Sequence, residues 1–186
     1  MNKKATLLGI STLALLAVLA VFSVSPTMSD ELYQMFESPK YKAIVHVTVE
    51  RPGVGIVYEY SGHNVLTNNG KEFIEQELGD SGSATTEVAN VIALGNGSAP
   101  TATSTSLDNE ITGCGLAKAT GTYVDDGTGQ WNITKQFTST CDNEVVNTTA
   151  LYTSSTSTMF AGDDFSSSVT LQSGDQITVT WNIQIT

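Results

Sequence analysis

The chain has 186 residues, and its 8 Lys and Arg against 19 Asp and Glu leave a formal net charge of -11. This acidity excludes a nucleic-acid-binding role, because contacts to phosphates need clustered basic side chains. The 26 Thr, 19 Ser and 16 Gly are typical of a β-rich, exported protein, and the 40% of hydrophobic residues suffices for a core.

The N-terminus predicts export. After Lys3 and Lys4, residues 5–24 form an uncharged run of 20 residues, and acidic residues follow it. Lysines before an apolar run and acids after it predict that everything downstream leaves the cytoplasm. Residues 1–25 are open to three interpretations: a cleaved signal peptide, a retained membrane anchor, or a pilin-like helix that packs in a filament core. Each predicts an extracellular or cell-surface protein that touches the membrane only through this segment, if it is retained.

Residues 26–52 predict an extension that precedes the main domain. Within it, residues 29–37 predict a short helix with Ser29 as its N-cap and acids in the first turn. Residues 41–50 alternate between apolar and polar side chains, which is typical of a half-buried strand. Pro52-Gly53 follows this strand as a break. The apolar face of this candidate assembly strand consists of Tyr41, Ala43, Val45, Val47 and Val49.

Residues 53–186 predict an antiparallel β-sandwich with about eight strands and one short helix. A turn at residues 68–70 precedes the helix, which is expected over residues 71–78. The last strand has the most regular alternation, and we therefore expect it at the centre of a sheet or under good cover. Outside the central hairpin, the predicted strands cover residues 54–60, 88–94, 145–152, 157–160, 167–171 and 176–185.

The two cysteines predict one disulfide within a β-hairpin. A two-residue loop at Gly127-Thr128 would pair residues whose numbers sum to 255, which places Cys114 opposite Cys141. Opposed residues of an antiparallel pair are close enough for a disulfide. Two cysteines in an exported chain are most simply bridged, although two buried free thiols are the alternative.

Three Asn-x-Ser/Thr triplets make Asn96, Asn132 and Asn147 candidate glycosylation sites. Such triplets also arise by chance in a chain this rich in serine and threonine. Glycans on asparagine are therefore a possible addition, and the chain itself is the expected protein partner.

We predict no enzyme activity, no cofactor and no metal site. His46 and His63 are the two histidines, and neither belongs to a motif for nucleophilic or metal-assisted catalysis. Acidic doublets such as Asp125-Asp126 and Asp163-Asp164 lack the spacing of a calcium-binding EF-hand loop. Aspartate in these contexts is more typical of turns.

Three motifs in residues 63–186 resemble a β-sandwich family that is common in phage tail and fibre regions. They are HNVLTNNGKEFIEQEL, VANVIALGNGSAPTATSTSLDNEI with Leu107 and Glu110, and SSVTLQSGDQITVTWNIQIT with Gly174-Asp175 before the terminal strand. The resemblance implies a structural or attachment module. The export segment and the extra strands before His63 depart from the phage pattern and favour a cellular surface protein. In overall plan the chain is also similar to subunits of archaeal and bacterial extracellular filaments that join by donor-strand exchange.

These features predict a secreted structural subunit of a pilus-like filament. In this hypothesis the strand at residues 41–50 either pairs within its own subunit or is donated to the next one, as strand addition allows. The alternatives are a monomeric or membrane-anchored surface adhesin or envelope protein, a pilin-like subunit with a helical core, and a virus tail-fibre-like attachment protein.

Overall fold

The segments with alternating apolar and polar residues form strands, and these strands make two antiparallel β-sheets. A computed structural model describes residues 40–79, 87–154 and 158–186, which belong to the compact unit Lys40–Thr186. The predicted export segment (1–25) and short helix (29–37) lie outside the described residues. The elements are β1 (Tyr41–Arg51), β2 (Gly55–His63), β3 (Val65–Leu66), α1 (Asn68–Gly79), β4 (Ala89–Gly95), β5 (Ala119–Thr120), β6 (Thr122–Gly127), β7 (Gln130–Thr138), β8 (Glu144–Thr153), β9 (Met159–Leu171) and β10 (Gln176–Ile185).

Among the described residues, each sheet has five strands. The first sheet has the order β2-β1-β10-β7-β6, and the second has the order β3-β9-β8-β4-β5. Side chains from both sheets, such as Val47 and Trp181 of the first and Ile92 and Leu151 of the second, form one buried cluster. Two sheets that share a core in this way make a β-sandwich-like fold. The predicted all-β class with one short helix is therefore confirmed for the described residues.

The last strand is central, as its sequence predicts. β10 pairs with β1 on one side and with β7 on the other. Its alternate residues Ile177, Val179, Trp181 and Ile183 are buried, because every second side chain of a strand points to the same face. A strand with partners on both sides and an apolar inner face forms the middle of the first sheet.

The helix is longer than predicted and begins inside the predicted turn. Residues 68–70 form its first turn, and the Thr67 side chain caps it by accepting a hydrogen bond from the Gly70 N–H at 2.9 Å. A Cβ atom on Gly70 would lie 2.2 Å from the carbonyl oxygen of Phe160. Glycine is therefore needed for close packing of the helix on β9. No helix within the described ranges is long and apolar enough to span a lipid bilayer.

The two strands predicted at 157–160 and 167–171 are one strand in the structure. β9 runs without interruption from Met159 to Leu171 and pairs with β8, with irregularities in register. The intervening residues have a turn-like composition, which explains the prediction. Gly162 is instead required by packing, because a Cβ atom there would lie 2.6 Å from Pro100.

Candidate functional site: an apolar groove and two open sheet edges

The candidate assembly strand lies inside the sandwich of its own chain. β1 pairs with β10 and β2, so both of its edges are occupied. Pro52-Gly53 does not separate it from the domain but forms a hairpin turn to β2, in which the Val54 N–H donates to the Arg51 carbonyl at 3.0 Å. The compact unit Lys40–Thr186 therefore includes β1. The predicted inward residues face the core: Ala43, Val45, Val47 and Val49 are buried, and Tyr41 is half-buried.

The cysteines are bridged, but not by the register predicted for them. Cys114 and Cys141 form a disulfide with a Cα–Cα distance of 5.3 Å. The β6–β7 hairpin pairs Thr122 with Thr134, so its residue numbers sum to 256, and its ladder does not reach the cysteines. Both cysteines lie in loops, where the Thr140 N–H donates to the Cys114 carbonyl at 2.9 Å. The disulfide joins these loops outside the hairpin.

The three sequons have different surroundings. Asn96 is exposed in the loop after β4. The Asn132 side-chain amide donates to the Asp126 carboxylate on the neighbouring strand. The Asn147 amide donates to the Gly97 carbonyl at 3.1 Å, and its Oδ1 is buried. A glycan on Asn132 or Asn147 would replace an existing hydrogen bond, whereas one on Asn96 would extend into solvent.

The acidic side chains in the predicted turns do not form a cluster that could bind a metal ion in the described residues. Asp125 accepts the Gly127 N–H at 2.9 Å and Asp142 accepts the Ser173 N–H at 2.9 Å, which are turn hydrogen bonds of the kind aspartate favours. Among residues 40–79, 87–154 and 158–186, no group of three or more His, Cys, Asp or Glu side chains is arranged to hold a metal ion.

Asp163 is a buried carboxyl group between the two sheets. Its side chain is 5% exposed, and its Oδ1 accepts the Asp164 N–H at 3.0 Å. Its Oδ2 has no hydrogen-bond partner among the described residues. Burial of this group disfavours the charged form and raises the pKa of Asp163 to about 6.

Two tyrosines of β2 fasten that strand to β9 near Asp163. The hydroxyl of Tyr58 donates to the Ser167 carbonyl at 2.8 Å, and the hydroxyl of Tyr60 donates to the Asp164 carbonyl at 2.8 Å. The Tyr60 ring also contacts Phe165, with 5.2 Å between ring centroids. These contacts close one side of the sandwich.

An apolar groove of about 390 Å³ lies between residues of the two sheets and α1. Tyr41, Trp131 and Ile183 of the first sheet line it, together with residues of β4, β6, β9 and α1. A concave apolar site of this size lies within the range that proteins use to hold a ligand or a few side chains, about 300–1,000 Å³. The hydrophobic rim continues into solvent: Leu78 is 79% exposed and Tyr123 is 59% exposed.

Asn90 is a polar residue in the lining of this groove. It lies at an irregularity in the β4–β8 pairing between Ala89 and Val91, and its backbone carbonyl accepts the Gly121 N–H at 2.7 Å. Its side-chain Oδ1 is buried and has no hydrogen-bond partner among the described residues. A buried acceptor without a donor costs free energy unless a ligand supplies the donor.

The two outer strands of the first sheet are the other exposed feature. β2 and β6 each pair with one neighbouring strand, and no other strand of the described part of the chain covers their outer edges. β2 exposes Ile56 at 61%, and β6 exposes Tyr123 at 59% and Val124 at 48%. An uncovered edge strand presents main-chain N–H and C=O groups that can pair with another strand.

Sequence reasoning missed the groove entirely. Its lining comes from strands and a helix that are distant along the chain, so no local pattern marks it. A weak signal was present at Trp131, which alternates with Ile133 along a predicted strand but lies where the sandwich opens.

No protein-family model matches the chain, and searches of curated proteins and of solved structures likewise find no match. The disulfide, the groove and the two open edges are therefore the features on which a functional assignment rests.

Proposed function

We propose that the protein is a secreted structural subunit that polymerises into an extracellular, pilus-like filament, without catalytic activity or a cofactor. The observation that carries this proposal is that the first sheet ends on two unlike edge strands, β2 and β6, whose outer edges no other strand of the described residues covers. If β6 of one copy pairs with β2 of the next, main-chain hydrogen bonds supply the attachment, as in strand addition.

The directions of the strands favour an open fibre. Every pairing in the first sheet is antiparallel and four steps separate its edges, so β2 and β6 run in the same direction. Contact between two different edges is heterologous, and a heterologous contact that does not close gives a fibre rather than a dimer. Strand donation by residues 41–50 would instead break both ladders of β1, so we assign the strand addition to the edges.

The disulfide supports an oxidising environment, and an extracellular location is part of the proposal. The exposed Asn96 is the sequon that we propose for glycosylation. A chain with a net charge of -11 also remains soluble as a monomer before it assembles.

Electron microscopy of cell-surface material and of the purified full chain tests the proposal. We expect fibres from the natural protein and their loss in Ile56→Lys and Val124→Lys, because a lysine on an edge strand blocks pairing. Val54→Lys is the matched control, since Val54 is 70% exposed in the hairpin turn and lies on neither edge strand. Monomers alone at high concentration, with no fibres on cells, would refute the filament.

The same preparations separate the rival proposals. A monomeric or membrane-anchored adhesin, or a tail-fibre-like attachment protein, would form no filament. An anchored form or a pilin-like subunit would retain residues 5–24, which intact mass measurement detects.

A further inference from the structure

The two edges of the first sheet fit each other as a parallel pair of strands. Four antiparallel steps separate β2 from β6, so a second copy that keeps the same face outward places its β6 parallel to β2. Turning the second copy over would make the two strands antiparallel. It would also join the core-facing side of one sheet to the solvent-facing side of the next, because side chains alternate between the faces of a strand. The parallel arrangement keeps like faces together.

Three side chains of β2 lie on the solvent-facing side of the sheet. Glu59, Ser61 and His63 pair with residues of β1 that alternate with the buried Val45 and Val47. Directly paired residues of neighbouring strands share a face, so these three side chains point away from the core. His63 is exposed and is in no ion pair among the described residues.

The strand at the other edge, β6, carries a matching row. Thr122 and Val124 pair with the residues of β7 that flank the buried Ile133, so both point to the solvent-facing side. Asp126 continues this row, because its carboxylate accepts a hydrogen bond from the Asn132 amide on that side. Asp126 is exposed and is likewise in no ion pair within the described part of the chain. The two rows have the same spacing and the same direction.

One register matches the charges of the two rows. When Val124 of one copy lies beside Ser61 of the next, Asp126 lies beside His63. Opposite charges that lie side by side on neighbouring strands stabilise the pairing, whereas like charges destabilise it. A shift of four residues would bring Asp126 beside Glu59, and a shift of two would leave it with no basic residue directly beside it. A shift of one residue would exchange the two faces of the strand.

The same register joins two aromatic side chains on the core-facing side. Tyr123 is 59% exposed at its own edge of the sheet and would lie beside Tyr60, whose ring contacts Phe165. Contact between aromatic rings stabilises a pair beyond the area that it buries. Asp125, the next core-facing residue of β6, would lie beside Gly62, so this side of the contact places no two carboxylates together.

We propose that successive subunits join β6 to β2 as parallel strands in this register, and that Asp126 of one copy and His63 of the next form the charge pair that selects it. The inference rests on the proposed function, because it specifies the contact through which the filament grows. Main-chain hydrogen bonds supply the attachment, and the charge pair supplies the specificity. Lys42, on the solvent-facing side of the adjacent β1, adds a positive charge diagonally across from His63.

Charge reversal in separate copies tests this pair. His63→Glu places two carboxylates side by side at each junction, and Asp126→Lys places two basic side chains there. Each variant alone should have a critical concentration for assembly about threefold to tenfold above that of the natural protein. An equimolar mixture of the two should assemble like the natural protein, because alternating copies bring the two substituted positions together at one junction and the two natural residues together at the next.

Asp125→Lys is the matched control for Asp126→Lys. Asp125 lies on the other side of β6, so mixing this variant with His63→Glu should not restore assembly. Recovery with Asp125→Lys would overturn the inference, as would a lack of recovery with Asp126→Lys or an unchanged critical concentration in His63→Glu. Circular dichroism of each monomer checks that the variants fold.

Cysteine pairs test the register without changing any charge of the pair. Copies with Ser61→Cys, mixed with copies with Val124→Cys, should form an intermolecular disulfide, because residues side by side on neighbouring strands have Cα atoms about 5 Å apart. Glu59→Cys with Val124→Cys is the control, since diagonal positions lie about 8 Å apart, beyond the reach of a disulfide. Mass spectrometry of the linked peptides measures both yields, and equal yields would overturn the register.

The two proposals fail differently. Filaments that form but are unaffected by His63→Glu and give no disulfide between positions 61 and 124 would refute the register and leave the filament standing. A natural protein that forms no filaments would refute the filament and the register that rests on it.

Discussion

Replacing Asp163 with asparagine should make the protein more stable at neutral pH. The pKa of Asp163 is raised by burial from 3.8 to about 6, so the folded state holds this proton more tightly than the unfolded state. For a group with a raised pKa, the stabilisation is complete below the unfolded pKa and is lost as pH rises through the folded pKa. The natural protein should therefore lose stability between about pH 4 and pH 6.

The size of this loss follows from the shift. One pKa unit corresponds to about 1.4 kcal/mol, so the shift gives an upper value of about 3 kcal/mol. Solvent near Asp163 screens part of this interaction, so we expect the free energy of unfolding to fall by about 1–3 kcal/mol. Asparagine keeps an acceptor for the Asp164 N–H and resembles the protonated carboxyl group in shape, so Asp163→Asn should remove the pH-dependent part of this cost.

Urea unfolding of the natural protein and of Asp163→Asn, at intervals from pH 4 to pH 8, measures this difference. The gap between their free energies of unfolding should grow in favour of the variant by about 1–3 kcal/mol from pH 4 to pH 8. A constant offset from altered packing cancels in this comparison. Asp164→Asn, at the exposed neighbouring position, is the control. Parallel curves for Asp163→Asn and the natural protein would refute a buried carboxyl group with a raised pKa.

Three further predictions concern stability. Replacing both Cys114 and Cys141 by alanine should lower the free energy of unfolding, measured in urea, by about 3–4 kcal/mol, since the disulfide closes a loop with a sequence separation of 27. Adding reductant to the natural protein should lower its free energy of unfolding by the same amount if the disulfide is the cause. The Arg51 guanidinium holds the pKa of Asp175 below its usual value, so Arg51→Met should move acid unfolding, followed by circular dichroism, to a higher pH. Val47→Ala should destabilise the isolated monomer by about 2 kcal/mol, and an unchanged stability would indicate that β1 is not buried in the core of its own subunit.

The direction of the shift that we expect for Arg51→Met follows from the ion pair between Arg51 and Asp175 in the folded protein. Asp175 is 1% exposed, and its carboxylate accepts hydrogen bonds from Arg51 at 3.0, 3.3 and 2.7 Å. A group with a lowered pKa stabilises the fold above its unfolded pKa, and this contribution disappears as pH falls through the folded pKa. An acid midpoint that did not move in Arg51→Met would show that the pair contributes nothing to acid stability.

Several strands were predictable because their patterns are local. The alternation of β1 and β10 follows from a period of two residues, which determines both the strand and its buried face before any partner is known. The disulfide was predictable for a different reason, because a chain with two cysteines and export signals has one simple pairing. Its geometry was not, since the hairpin register differs by one residue from the predicted one and the ladder ends at Thr122 and Thr134, before it reaches either cysteine.

Glycines account for two of the differences between prediction and structure. Gly70 and Gly162 have the composition of turns, yet one lies in a helix and the other in a strand, because a neighbouring backbone or Pro100 approaches too closely for a Cβ atom. A glycine that is required by contact cannot be distinguished by sequence from a glycine that is required by a turn. The extent of α1 and β9 therefore depended on their packing partners.

The sequence by itself determined the all-β class, the acidic charge and the inner faces of β1 and β10, because these depend on composition and on spacing within short segments. Only the tertiary structure decided that β1 lies between β2 and β10, that Asp163 is buried, and that Tyr41, Asn90 and Trp131 share one groove. These features require contacts between residues that are far apart in the chain. The choice among such contacts depends on how whole faces pack together, which no local pattern contains.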